Sequence, residues 1–107
     1  MFLKEYNYLI KIEYDGTKYV GWQYQKNGQS IQEKIEIALS KIVKIKKRLI
    51  GAGRTDKGVH AYGQYANFIT FKKIENSKKF LSSINFFLRN SLISVISIEK
   101  KNNTFNS

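Results

Sequence analysis

Residues 6–14 read YNYLIKIEY, and the alternation in this run fixes both the first element of the chain and the kind of layer it must join. Tyr6, Tyr8, Ile10, Ile12 and Tyr14 fall on one side of an extended strand. Asn7, Lys11 and Glu13 fall on the other, with Leu9 among them. A strand with one apolar face needs a second layer to cover it. Two later runs of helical period supply that layer. Ile31, Ile35, Ala38, Leu39 and Ile42 make a stripe across 31–45, with Ser30 as N-cap and Glu33 completing a capping box. Phe80, Leu81, Ile84, Phe87 and Leu88 make a second stripe across 77–89, with Ser77 as N-cap. Residues 47–52, 61–71 and 92–99 read as strands, and 72–76 as a turn. The order β-α-β-β-α-β predicts an α+β, ferredoxin-like fold: a four-stranded antiparallel sheet with both helices on one face. With 107 residues the chain is expected to be a single domain, 1–107.

Composition narrows the function classes. The chain has no cysteine and one histidine, which leaves no soft-ligand cluster for a structural metal. No apolar run approaches a membrane span, and the N-terminal MFLKEYNY lacks the apolar core of a signal peptide. A cytoplasmic protein is expected. The net charge of +11, from 19 basic and 8 acidic residues, favours a polyanionic partner, nucleic acid before membrane. A general bias toward Lys, Asn and Ile would give the same charge.

Two loops concentrate polar chemistry. Residues 15–30, DGTKYVGWQYQKNGQS, hold the sole Trp22 with Tyr19 and Tyr24 among Lys18, Gln23, Gln25 and Lys26. Aromatics beside Lys and Gln suit stacking on unpaired bases, or equally a loop pinned to the core. The second loop lies within LIGAGRTDKGVHAYGQ, residues 49–64. Gly51, Gly53 and Gly58 flank Arg54, Thr55, Asp56 and Lys57, with His60 following. In the expected topology the first two strands end at the same edge of the sheet, so the two loops emerge near each other.

Three chemistries can be weighed for the second loop. Phosphate cradling fails, because the glycines lead to a strand-strand loop and not to a helix start. A triad on His60 lacks a Ser or Cys partner. A lone carboxylate nucleophile remains: Asp56 must be ionised, and Arg54 and Lys57 could favour that form or hold a phosphate. The residues alone leave a second reading open, a turn in which Arg54 and Asp56 simply pair.

GAGRTDKGVHAYGQ, at 51–64, resembles the active-site segment of the tRNA pseudouridine synthase A family. IEYDGTKYVGWQYQ at 12–25, SIQEKIEIAL at 30–39 and INFFLRNSLISV at 84–95 resemble that family's first strand and loop, first helix, and second helix with the following strand. The resemblance covers nearly the whole chain in the family's order. It implies isomerisation of uridine to pseudouridine in the anticodon stem-loop of tRNA, without cofactor or metal. It implies that Asp56 is the nucleophile and that Arg54 helps flip and hold the target nucleotide. Thr55, Lys57, Lys18, Gly21, Trp22, Gln23 and Lys26 are then candidates for RNA contact.

The family's members are homodimers and carry a second, similar half that adds active-site groups. This chain ends near where an F-x-A-R segment would begin, so it is expected to be the N-terminal half, with the C-terminal half absent. LRNSLI also lacks the proline and acidic residue usual at that place. Two readings of other classes stand beside the synthase: a non-catalytic RNA-binding module or inactive fragment, and, more remotely, a phosphatase-like enzyme.

Overall fold

A computed structural model describes residues 4–15, 28, 30–44, 49–51 and 61–102. Three long strands form an antiparallel sheet: β1 (Tyr6–Tyr14), β3 (Ala61–Thr70) and β4 (Ile93–Lys101). Between β1 and β3 lie helix α1 (Ile31–Ser40) and a two-residue strand, β2 (Ile50–Gly51); helix α2 (Ser77–Phe87) joins β3 to β4. The order across the sheet is β2-β3-β1-β4. The α+β class and the antiparallel pairing match the expectation. The fourth strand is present only as Ile50 and Gly51 opposite Asn67 and Ala66. Residues 47, 48 and 52 of the expected 47–52 run lie outside the described residues.

The alternation in β1 does what its period requires. Tyr8, Ile10, Ile12 and Tyr14 are buried. They form one cluster with Ala66, Phe68, Ile93 and Val95 of the neighbouring strands and with the apolar stripes of both helices. The Phe68 ring links Tyr8 of β1 to Phe80 of α2, at centroid distances of 5.8 and 6.2 Å. On the opposite side, Asn7 is fully buried. Its Nδ2 donates to the Asn102 carbonyl at 3.0 Å, and its Oδ1 accepts from Asn67 Nδ2 at 3.4 Å. Burial is tolerated because both ends of the amide are satisfied.

Both helices differ from their sequence outlines at the ends. The Ser30 hydroxyl caps α1 as expected, accepting from the Glu33 N–H at 3.1 Å. The helix then stops at Ser40, not at 45. Ser40 Oγ turns back onto the Ile37 carbonyl at 2.6 Å, and the Lys41 N–H reaches Ala38 in a tightened last turn. Ile42 still packs on the core and the Val43 N–H still reaches the Leu39 carbonyl, so the apolar period and one helical hydrogen bond outlast Ser40. In α2 the cap is Asn76, not Ser77: Asn76 Oδ1 accepts from the Lys79 N–H at 3.0 Å. Phe80, Ile84 and Leu88 are buried, but Phe87 is 39% exposed where the stripe predicted a core position. Phe87 is the last helical residue, and Lys41 Nζ lies 5.2 Å from its ring. Among the described residues no helix is long and apolar enough to cross a membrane.

Candidate active site

The register brings three strand ends to one edge of the sheet. Tyr14, the last residue of β1, is paired with Ala61, the first of β3, and with Ile93, the first of β4. β2 ends at Gly51 on the far side of β3. The chain leaves β1 through Asp15 toward the aromatic segment, and leaves β2 toward the R-T-D segment that returns at Ala61. The exit of β1 and the return of the R-T-D segment at Ala61 therefore share one end of the sheet, whereas that segment departs from Gly51 opposite Ala66, further along β3. The candidate residues themselves, Asp56, Arg54, Thr55, Lys57, Lys18, Gly21, Trp22, Gln23 and Lys26, lie outside the described residues, as does His60.

This edge of the sheet is irregular. The β1–β3 register shifts between Ile12 and Glu13: Gln64 pairs with Ile12 and Tyr62 with Glu13, which leaves Gly63 over. Gly63 has φ +107°, a conformation side chains rarely adopt, and an added Cβ would sit 3.1 Å from Lys11 Cε. On the other side the β1–β4 register shifts between Lys11 and Ile12, leaving Ile96 over. Two bulges thus fall on the same stretch of β1, three residues before its end. Bulges bend and twist a strand and are common beside active sites.

A third irregularity ties β4 to the exit of β1. Leu92 has φ +62°, unusual for a branched apolar residue. Its carbonyl accepts from the Asp15 N–H at 3.0 Å. Ser91 holds the turn in place: its N–H reaches the Leu88 carbonyl at 2.9 Å, its Oγ reaches the same carbonyl at 2.5 Å, and that Oγ accepts from the Ile93 N–H at 3.3 Å. The first residue of the aromatic segment is therefore anchored by a strained, over-determined turn.

Two described side chains on the sheet face opposite the helices suit an RNA partner and were not singled out from the sequence. Tyr65 is 41% exposed, and Lys11, its partner in the register, places Nζ 6.0 Å from the ring centroid. A cation and an accessible ring together can stack on a base and meet its phosphate. The signal was present as aromatics on both faces of 61–71. Gly63 was legible too, because a lone glycine inside a strand pattern marks a bulge. Leu92 had no such signal. Among the described residues no three His, Cys, Asp or Glu side chains gather as metal ligands.

A helix-backed antiparallel sheet in which the exit of β1 meets the start of β3 at a bulged end defines an α+β domain. The family of such domains follows from comparison. The model of the tRNA pseudouridine synthase family matches residues 10–104, and the chain belongs to the tRNA pseudouridine synthase A family. A tRNA pseudouridine synthase A of Pelagibacter ubique is 49% identical over 102 residues, covering 95% of this chain and 42% of the relative. That of Caldicellulosiruptor saccharolyticus is 50% identical over 86 residues, covering 80% of the chain and 35% of the relative. A tRNA pseudouridine synthase A 2 of Protochlamydia amoebophila is 42% identical over 99 residues, covering 92% and 37%. The chain spans about two fifths of the length of these relatives.

Proposed function

We propose that this chain is the nucleophile-bearing, N-terminal part of a tRNA pseudouridine synthase that isomerises uridine to pseudouridine in the anticodon stem-loop. The observation that carries the reading is the family match over 10–104, which includes the R-T-D segment, joined to a register that sets the exit of β1 beside Ala61, where the R-T-D segment returns. In this reading Ile50–Gly51 is the described part of a full fourth strand, and the core is the ferredoxin-like four-stranded sheet. The full-length protein would act as a homodimer.

The chemistry asked of the site is balanced and needs no redox partner. The C1′–N1 glycosidic bond breaks, the uracil turns, and a C5–C1′ bond forms. The proton on C5 leaves and N1 gains one. Asp56 supplies a carboxylate that bonds transiently to ribose C1′ or to ring C6 and is then released. Arg54 holds the nucleotide extruded from its stack, since the reacting atoms are hidden in a paired helix. Lys11 and Tyr65 extend the contact surface on the open sheet face.

The test grafts this chain onto the remainder of the Pelagibacter relative, in place of the segment it aligns with, and follows tritium release from tRNA labelled at uridine C5. The graft is expected to release tritium. Asp56→Asn is expected to lower the rate by about three orders of magnitude or more while tRNA binding persists, since a nucleophile has no substitute in the site. Near-normal turnover in Asp56→Asn would show that Asp56 is not the nucleophile. The rival reading, a non-catalytic RNA-binding module, draws on the share of the family's length present and on the +11 charge. Pseudouridine formed by the 107-residue chain alone would eliminate it.

A further inference from the structure

The opposite end of the sheet carries a feature that the proposed site does not use. Past Thr70 at the end of β3, the chain turns through 71–76 into α2. There it meets the segment that follows α1. Two adjoining clefts, of about 500 and 420 Å³, open between these segments and share Ile42, Val43 and Lys72. The floor is apolar, and includes Ile74 and Phe80 from the α2 side. The rim is basic: Lys41, Lys44 and Lys72 line one cleft, and Lys72, Lys73 and Lys79 the other. All five lysines are exposed.

The walls are fixed by hydrogen bonds and do not depend on the lysines. Thr70 Oγ1 donates to the Lys44 carbonyl at 3.0 Å, and the Ile74 N–H donates to Tyr8 Oη at 2.8 Å. The Val43 N–H reaches the Leu39 carbonyl at 2.9 Å. Two acidic residues line the clefts. Glu36 turns one carboxylate oxygen onto the Leu49 N–H, at 2.9 Å, and onto Gln32 Nε2, at 3.1 Å. Glu75 stands exposed on the rim. Five cations against two carboxylates, one of them engaged by neighbouring N–H groups, leave the groove positive.

We propose that this groove is a second RNA-backbone site, which holds the body of the tRNA away from the nucleotide being modified. The proposal rests on the tRNA reading above and extends it. Charge complementarity selects the occupant, because a row of lysines on preformed walls matches the phosphates of a folded RNA. Distance selects which part of the RNA is met. The groove lies at the Thr70 end of β3 and the proposed site at the Ala61 end, a separation of roughly 30 Å at about 3.3 Å per residue. One rigid RNA larger than a hairpin can reach both.

The experiment measures binding of the 107-residue chain to a whole tRNA transcript and to its isolated anticodon hairpin, by fluorescence anisotropy across a salt series. Lys72→Gln/Lys73→Gln/Lys79→Gln is compared with a control triple outside the groove, Lys34→Gln/Lys78→Gln/Lys100→Gln, both checked for fold by circular dichroism. The groove variant is expected to lose tenfold or more in tRNA affinity, and its log K against log salt slope is expected to fall by about 2, from slightly under one per phosphate contact. Its hairpin affinity is expected to stay within about twofold, as judged by the same titration. Unchanged tRNA affinity, an equal loss on the hairpin, or an equal loss in the control triple would each overturn the groove. A parent chain that binds tRNA no better than heparin would instead overturn the tRNA reading, and the groove with it.

Discussion

Gly63→Ala tests the claim that the bulge next to the proposed site is built on backbone conformation. Gly63 is the extra residue between the pairs Ile12–Gln64 and Glu13–Tyr62, and its φ of +107° lies where a Cβ is strained whatever room surrounds it. The space itself is permissive. The nearest atom to the new Cβ would be Lys11 Cε at 3.1 Å, the far end of a flexible side chain that can swing away at little cost. The penalty therefore comes from the backbone, at about 1–2 kcal/mol for a left-handed non-glycine residue. With a urea m-value of about 2 kcal/mol per molar, the unfolding midpoint should fall by ~0.5–1 M. Equilibrium urea unfolding of the chain, followed by circular dichroism, reads this directly.

Lys11→Ala/Gly63→Ala separates the two causes. If the backbone is responsible, removing the lysine end does not restore the midpoint lost to Gly63→Ala beyond the effect of Lys11→Ala alone. A Gly63→Ala midpoint within ~0.1 M of the parent would refute the reasoning, since no positive-φ bulge could then be costing about 1 kcal/mol. Full recovery in the double variant would refute it differently, by showing that the penalty was side-chain contact.

Two further perturbations follow from the same frame. Asn85 Nδ2 donates to the Val95 carbonyl at 2.9 Å and its Oδ1 accepts from the Val95 N–H at 2.8 Å, so Asn85→Ala should cost about 1–3 kcal/mol by leaving two backbone groups of β4 unsatisfied; a loss under about 0.5 kcal/mol in urea unfolding would mean that water replaces both bonds. Leu92→Asn should be neutral or stabilising by up to about 1 kcal/mol, because Asn accepts positive φ more readily and Leu92 is half exposed; a clear destabilisation would show that the leucine side chain is packed.

The strands and helices were legible where one periodic signal acted alone. In β1 every second residue from Tyr8 to Tyr14 is buried, as alternation requires. The signal misled where an element ends. Ile42 sits on the α1 stripe and packs on the core, yet Ser40 has already turned back on the helix carbonyls. Phe87 sits on the edge of the α2 stripe and is half exposed, while Phe80, Ile84 and Leu88, at four-residue spacing, take the buried line. Asn7 lies on the polar side of the alternation; its burial involves Asn67, sixty residues away, which no local pattern reports. The candidate site divides in the same way. That the exit of β1 and the return of the R-T-D segment at Ala61 share one end of the sheet followed from topology. The assignment of Asp56 and Arg54 came from family resemblance, because R-T-D by itself also describes an ordinary paired turn.

The irregularities are distributed unevenly, and their placement bears on mechanism. Both register shifts in β1 fall at Lys11–Glu13, and the positive-φ Leu92 bonds to Asp15 just beyond. From Tyr6 to Lys11 the pairing with β3 is continuous. A regular sheet would present its edge as a flat row of strand ends. Two bulges on flanking strands twist the last residues of β1 relative to both neighbours, and so the end of the sheet departs from the regular pleat. Such a frame costs stability at Gly63 and Leu92, and it persists because Ser91 and the register on either side over-determine it. Relaxing the bulge while keeping the core intact should therefore cost catalytic rate out of proportion to stability. In the tritium-release graft, Gly63→Ala is expected to lower turnover by more than its loss of folded protein accounts for. A rate that falls only in step with the folded fraction would make the bulges an accident of packing.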